Sequence, residues 1–398
     1  DDGSTWGVSN DGIAISNVRS LYNGIEGTLF AGTDDIGIQF STDGGTHWNE
    51  TNMLPIRVNT FALDSSDNLL AGATGFESGT GGVYLSSDGG INWIRVFEKQ
   101  YAVNGIAVNA LGHIFACTMN EGVYRSTDGG LSWVQINNGL TSLHCYSIAA
   151  TDAGSILAGT QLGLFKSTNS GDSWLYRYVV PSYINVIARS DQGDLLAGVG
   201  YKEGLSGAFR STNDGENWSR MGLLDFAVTS LIESKGMLFA MAFSLGLGTG
   251  IYRSTDQGGS WELINSGLTN LSFTTLSLDS SGYLYVSTLG SGVFRSSGPI
   301  TSVDDFGNTH PQDYVLEQNY PNPFNPTTQI RFQITGYEFV SIRIYDILGR
   351  HIATLMNEKK EAGFHDVTWD ATGQPSGVYF YRLQAGDFVE TRKLVLLR

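Results

Sequence analysis

The sequence predicts an all-β chain, a seven-bladed β-propeller followed by a smaller immunoglobulin-like β-sandwich, and three observations predict it. A short motif that closes on tryptophan recurs along the first three quarters of the chain, with Trp6, Trp48, Trp93, Trp133, Trp174, Trp218 and Trp261 spaced by 42, 45, 40, 41, 44 and 43 residues. Each interval holds four short apolar alternations, and a four-stranded sheet of that length buries both of its faces only by packing between neighbours of the same kind. Composition agrees: of 398 residues, 51 are Gly, 12% are aromatic and only 16% are charged, which favours short strands and tight turns over long helices.

The repeated element is Ser41-Thr42-Asp43-Gly44-Gly45-Thr46-His47-Trp48, which returns as Ser86 to Trp93, Ser126 to Trp133, Ser167 to Trp174, Ser211 to Trp218 and Ser254 to Trp261. Its pattern, Ser-x-Asp/Asn-x-Gly-x-x-Trp, reads as a turn. The hydroxyl and the carboxylate or amide bond the backbone, the glycine takes positive φ, and the indole packs beneath. Asp43, Asp88, Asp128, Asn169, Asn213 and Asp256, with the seven tryptophans, are therefore structural. Before each turn runs an alternating strand such as Gly122-Val123-Tyr124-Arg125. Two earlier strands precede it, such as Val103 to Val108 and the stretch containing Phe115-Ala116, joined by turn signals of the Asp279-Ser280-Ser281-Gly282 kind.

The ends of the array complement each other. The last unit reads Gly292-Val293-Phe294-Arg295-Ser296-Ser297 and then stops without Asp or Trp, whereas residues 1–13 match the end of the motif plus an outer strand. The N-terminal segment is expected to complete the seventh blade and close the ring, leaving no open edge. Residues 1–297 are thus assigned to the propeller, 298–313 to a polar linker and 314–398 to the second domain. There, alternating segments such as Val340 to Tyr345 and Gly377 to Leu383 follow a proline-rich opening.

Two resemblances follow from these motifs. The Ser-x-Asp-x-Gly-x-x-Trp turns resemble the Asp boxes of the BNR-like propellers, a family that includes sialidases, xyloglucan-degrading glycosidases, sortilin-type receptors and a photosystem-assembly factor, so it implies a fold without selecting a chemistry. The second domain resembles the type A sorting domain of type IX secretion, found in Bacteroidota and related bacteria. Asn319-Tyr320-Pro321-Asn322-Pro323-Phe324-Asn325-Pro326 matches its opening, Tyr345-Asp346 and Gly349-Arg350 its middle, and Gly377-Val378-Tyr379 with Lys393 and Arg398 its end. That resemblance implies recognition by the outer-membrane translocon and a secreted or surface-attached product. The start at Asp1 is read as a mature form or a fragment whose export signal, if any, has been removed.

Charge narrows the partners. The net charge is −16, and residues 1–300 carry 14 basic and 27 acidic side chains, which argues against nucleic acid. No apolar run reaches 18 residues, so no membrane-spanning helix is expected. Cys117 and Cys145 are too few for a disulfide framework and read as buried thiols. The six histidines are scattered and no glycine-rich phosphate loop is present, so no metal and no cofactor are expected, and the chain is expected to be a monomer.

Strands alternate in direction within a blade, so the Asp-box turns and the first hairpin turns share one face. The opposite face, formed by the second–third strand loops and the connections between blades around the funnel, is where a ligand is expected. It offers Asp34, Asp35, Glu77, Glu121, Tyr201, Glu203 and Phe243 from the loops and Tyr101, Tyr183 and Asp225 from the connections. Aromatics beside carboxylates suit sugar stacking with hydroxyl hydrogen bonds, and the same residues also furnish an ordinary solvated rim. A sialidase needs three arginines around one carboxylate. Arg125, Arg210, Arg253 and Arg295 all fall just before the motif serine, on the other face, Arg95, Arg177 and Arg220 lie on outermost strands and Arg189 precedes a first hairpin turn, which leaves Arg19 and Arg57 at the funnel. The leading expectation is a non-enzymatic binding protein for a protein or glycan, and the alternative is a glycoside hydrolase with two carboxylates.

Overall fold

The computed structural model describes all residues except 1–2, 14–15, 25–26, 54, 76–80, 178, 180–181, 201–203, 245–247, 301–313, 317, 320, 335–337, 361–362, 387 and 398. No helix among the described residues is long and apolar enough to cross a membrane. The chain divides into two compact units, 1–303 and 304–398.

Unit one contains seven four-stranded antiparallel sheets. Blade 3 shows the plan: strand A, Val103–Val108, then B, Ile114–Thr118, C, Gly122–Ser126, and a short outer D, Val134–Gln135. Blades 1, 2, 4, 5 and 6 repeat it over 18–50, 57–99, 145–177, 184–220 and 227–263. Strand A of every blade contacts strand A of the next, and the last returns to the first, so the seven sheets form a closed ring. B strands such as Leu195–Val199 and Leu284–Thr288 are buried at every residue, because both sheet faces meet a neighbouring blade. The core is accordingly divided into clusters between blades, such as Phe115, Cys117, Ile136, Cys145, Phe165 and Trp174. Both cysteines are buried free thiols there, and burial holds their pKa values above the ordinary thiol range.

Blade 7 joins the two ends of the array. Strands A to C come from Phe273–Leu278, Leu284–Thr288 and Val293–Ser296, and D is Trp6–Val8, paired Trp6↔Ser296, Gly7↔Arg295 and Val8↔Phe294. The Trp6 indole is buried and its Nε1 donates to Ile264 O at 2.7 Å, so the first strand is fixed by packing as well as by its ladder. The propeller unit extends beyond the expected end at 297. Ile300 is buried in the cluster shared by blades 6 and 7, its N–H donates to Gly282 O, and its carbonyl accepts from Lys235 Nζ. An apolar side chain in that core moves the start of the linker past 300, and residues 301–313 lie outside the described set.

Unit two is a sandwich of a three-stranded sheet, Val315–Leu316, Thr327–Ile334 and Gly363–Asp370, and a four-stranded sheet in the order His351–Lys360, Glu338–Asp346, Gly377–Ala385, Phe388–Leu396. Ile330, Phe332, Ile342, Ile344, Tyr381 and Leu394 share its core. The opening motif is an architectural corner. Asn319 is buried, its N–H donates to Tyr381 Oη, and its Nδ2 reaches Thr328 Oγ1 at 2.9 Å. Asn322 Oδ1 accepts from Val395 N–H, and Phe324 is buried 5.4 Å from the Trp369 ring. Tyr379 is buried with its hydroxyl on Pro375 O, whereas Pro321, Pro323, Asn325, Pro326, Gly377 and Lys393 are exposed. Tyr320 lies outside the described residues.

Candidate functional site

On one face of the propeller the six complete motifs fold alike. In blade 3 the Ser126 hydroxyl donates to Asp128 Oδ1 at 2.8 Å and accepts from Gly130 N–H at 2.8 Å, and Ser132 N–H donates to the same carboxylate at 2.9 Å. Asn169 and Asn213 occupy the same position with the same backbone bond, so the turn needs an acceptor there and not a charge. These hydrogen bonds pull the Asp128 carboxyl down to about 2, led by the Ser132 hydroxyl. Where a cation precedes the motif serine, it crosses to the next blade. Arg125 Nη1 donates to Ser170 O and Asp172 Oδ1, Lys166 Nζ meets Asp214 and Glu216 at 2.8 Å, Arg210 meets Gln257 and Glu233, and Arg253 reaches Ser4 Oγ at 3.3 Å and Glu262 at 2.8 Å. Burial raises the pKa of Glu233 even with Arg210 beside it.

The opposite face is built on a feature that sequence reading missed. Every A strand carries a β-bulge at its second or third residue, at Arg19, Asn59, Asn104, Tyr146, Asn185, Thr229 and Thr274. A bulge re-aims a side chain, and four of the seven reach the next blade. Asn59, Asn104 and Asn185 donate through Nδ2 to the carbonyls of Val103, Cys145 and Val228 at 3.1, 2.8 and 3.1 Å, and Thr274 Oγ1 donates to Val18 O at 2.5 Å across the closure. At two blades the next residue does this instead: Ser20 Oγ donates to Val58 O and Ser147 Oγ to Ile184 O. Those are the blades whose bulged residues are Arg19 and Tyr146, so these two side chains are released from the inter-blade belt.

Each released side chain organises a cluster. Arg19 grips Asp34 with two bonds, Nε to Oδ1 at 2.7 Å and Nη2 to Oδ2 at 2.9 Å, and Arg57 Nε adds a third to Oδ1 at 2.8 Å. The Asp34 carboxyl is nearly buried, while both arginine side chains stay about one third exposed (32% and 35%). Burial works to raise the Asp34 pKa, but the two guanidinium groups outweigh it and hold it below the ordinary range. Two cations on one anion leave a net positive charge within a strongly acidic unit. Tyr146, in turn, meets the edge of Tyr183 at 5.9 Å between ring centroids, and Tyr183 is 40% exposed.

The remaining expected residues are distributed around the same face. Asp35 is exposed beside Asp34. Glu121 is paired with Lys99 Nζ at 3.0 Å and accepts from Tyr124 Oη at 3.1 Å, and Asp225, at φ 64°, accepts the Gly204 N–H at 2.7 Å. Tyr101 is exposed alone in its connection. Phe243 is exposed too, but it belongs to a strand: the blade 6 hairpin stays paired as far as Ser244↔Gly248, so the expected loop is a ladder extension. Glu77, Tyr201 and Glu203 lie outside the described residues. Asp34 was expected to face a ligand; it is instead the counter-ion that orients two arginines. Sequence separations of 15 and 23 residues give no sign of that pairing.

Comparison with known proteins identifies the second unit. Residues 318–397 match the secretion system C-terminal sorting domain family. No curated protein matches the chain. Among solved structures, the extracellular domain of the one component system BT4673 from B. thetaiotaomicron aligns with a TM-score of 0.56 at 12% identity, covering 96% of this chain and 57% of that one. The GH74 xyloglucanase from Xanthomonas campestris aligns with 0.58 at 16%, covering 83% and 59%. YCF48 bound to D1 peptide aligns with 0.54 at 13%, covering 75% and 95%. The chain thus spans under three fifths of the first two, and at these identities the likeness is one of fold. The protein is a secreted or cell-surface β-propeller that carries a type IX secretion sorting domain.

Proposed function

We propose that the propeller is a non-enzymatic binding module which takes a glycan or protein ligand on its funnel face once the sorting domain has brought it outside the cell. The observation that carries this reading is the release of Arg19 and Tyr146 from an otherwise repeated inter-blade belt, into an arginine pair on Asp34 and an exposed tyrosine pair with Tyr183. Thr229 of blade 6 also leaves the belt, but it turns back onto Met241 O of its own blade, whereas Arg19 and Tyr146 each build a cluster. Guanidinium groups a third exposed and a half-exposed tyrosine ring supply charge, hydrogen-bond donors and a stacking surface to a ligand. YCF48, in complex with D1 peptide, is an instance of this fold holding a partner.

Three of the described carboxylates weigh against hydrolysis by this face. A glycoside hydrolase needs an acid with a raised pKa beside a second carboxylate. Asp34, Glu121 and Asp225 are each committed to a donor within the protein, and the Asp34 pKa is lowered. The test is to screen the full chain on a glycan array and an extracellular-protein array, then incubate it with every oligosaccharide retained. Retention without new reducing ends, lost in R19A and Y183A, is the expected result. Release of reducing ends, or unchanged retention in both variants, contradicts it.

A further inference from the structure

Among the described residues, every cation that stands before a motif serine meets a carboxylate, with one break. The residue before the motif serine in one blade meets the residue five places after the serine in the next: Arg125 meets Asp172 and Lys166 meets Glu216. Where one partner is apolar so is the other, as with Phe40 and Ile91 or Leu85 and Leu131. Arg210 faces Gly259 at that position and uses Glu233 instead, and Arg253 faces Ser4 and adds Glu262. Arg295, at the closure between blades 7 and 1, faces Thr46. Among the described residues it pairs with no carboxylate; its guanidinium lies over Tyr283, 3.6 Å from the ring centroid, against the Gly44 turn of blade 1. Asp279, on the hairpin that carries Tyr283, is occupied by the Tyr283 N–H at 2.8 Å and the Tyr285 hydroxyl at 3.0 Å.

Arg295 also borders an open depression of about 620 Å³, lined by Ser9, Asn10, Asp11, Thr46 and Tyr283 among others. That volume suits a ligand of about two sugar rings. Its opposite rim carries Asp11, whose side chain is 76% exposed and stands 3.5 Å from His47 Nε2. A carboxylate repels a second negative group but accepts hydroxyl hydrogens. A guanidinium held against an aromatic ring is weakly hydrated and presents a planar fork to a carboxylate. We infer that this closure depression is a binding site for a sugar acid, with Arg295 taking the carboxylate that its place in the repeat lacks and Asp11 accepting a ring hydroxyl. The site lies on the face opposite the funnel and does not depend on the function proposed there.

The test uses the full chain and calorimetric titration with digalacturonic acid, with neutral galactobiose as the control. The acid binds and galactobiose does not; R295Q weakens binding by about tenfold or more, as expected when a charge-assisted bidentate contact is lost. The decisive variant is T46E, which supplies in the chain the carboxylate that Asp172 and Glu216 supply elsewhere. It abolishes binding and raises the melting temperature, while T46Q, of equal size, retains binding. Absence of acid binding to the wild-type chain at millimolar concentration, equal binding of galactobiose, or unchanged binding in T46E overturns the inference, and T46E decides even where R295Q fails to fold.

Discussion

The two faces of the propeller solve one problem, holding seven sheets side by side, with different degrees of uniformity. On the Asp-box face the turn is rebuilt six times with the same serine, acceptor and glycine, and even Asp and Asn interchange without altering the bonds. On the funnel face the inter-blade bond is kept at six of the seven blades, with its donor shifted by one residue at blades 1 and 4, which leaves over an arginine and a tyrosine, while Thr229 of blade 6 turns back to Met241 O of its own blade. Uniform positions answer to the fold. Positions where a neighbour takes over the structural bond are the ones free to answer to something else.

The largest expected effect breaks the ring at its closure. W6A removes a buried indole that locks the borrowed outer strand, and should cost about 3–5 kcal/mol in denaturant unfolding, the usual range for a buried aromatic. A loss below 1 kcal/mol in the same assay would mean that the seventh blade does not need its N-terminal strand. Next is D34A, which strips the shared counter-ion from Arg19 and Arg57 at the funnel. Breaking a buried pair costs several kcal/mol, and because these arginines are a third exposed the expected loss is about 2 kcal/mol. The Asp34 contribution is present above the ordinary aspartate range and fades as pH falls through its lowered folded value, so the gap between wild type and D34A should narrow in acid.

N104A tests the belt itself. Loss of one inter-blade hydrogen bond should cost about 1 kcal/mol, read as a shift in the urea midpoint. The smallest effect is on the uniform face: D128N keeps the acceptor for the serine and the backbone, as Asn169 and Asn213 do, and loses the charge and the oxygen that takes the Ser132 hydroxyl. The Asp128 carboxyl is held down to about 2, so its advantage exists above about pH 4 and disappears as pH drops towards 2. Melting curves of wild type and D128N should therefore converge over that interval; a gap that widens in acid would reverse the assignment.

The uniform face was legible in the sequence because its signal is local. Eight consecutive residues specify the turn, and Trp spacing counts the blades. The array ends were legible for the same reason, since an incomplete motif at 297 and a leading Trp6 are readable as text. The funnel face was legible only in part. Arg19 and Arg57 could be placed there by register, but the bulges that aim them depend on pairing between strands, and their attachment to Asp34 joins two blades. Lys166 escaped notice because it stands as a lysine in a column of arginines, and only its contacts with Asp214 and Glu216 reveal the shared role. Phe243 was misplaced because the hairpin of blade 6 continues its ladder where other blades turn.

The most direct measurement sets a released residue against a structural one at the same register. Y146A and N104A, prepared in the full chain, should be compared on the same glycan and protein arrays and in the same thermal melts. If the funnel face is the binding face, Y146A loses array signal with little change in melting temperature, and N104A lowers the melting temperature with its array signal retained. The opposite pattern, or array binding indifferent to Y146A, would contradict that claim.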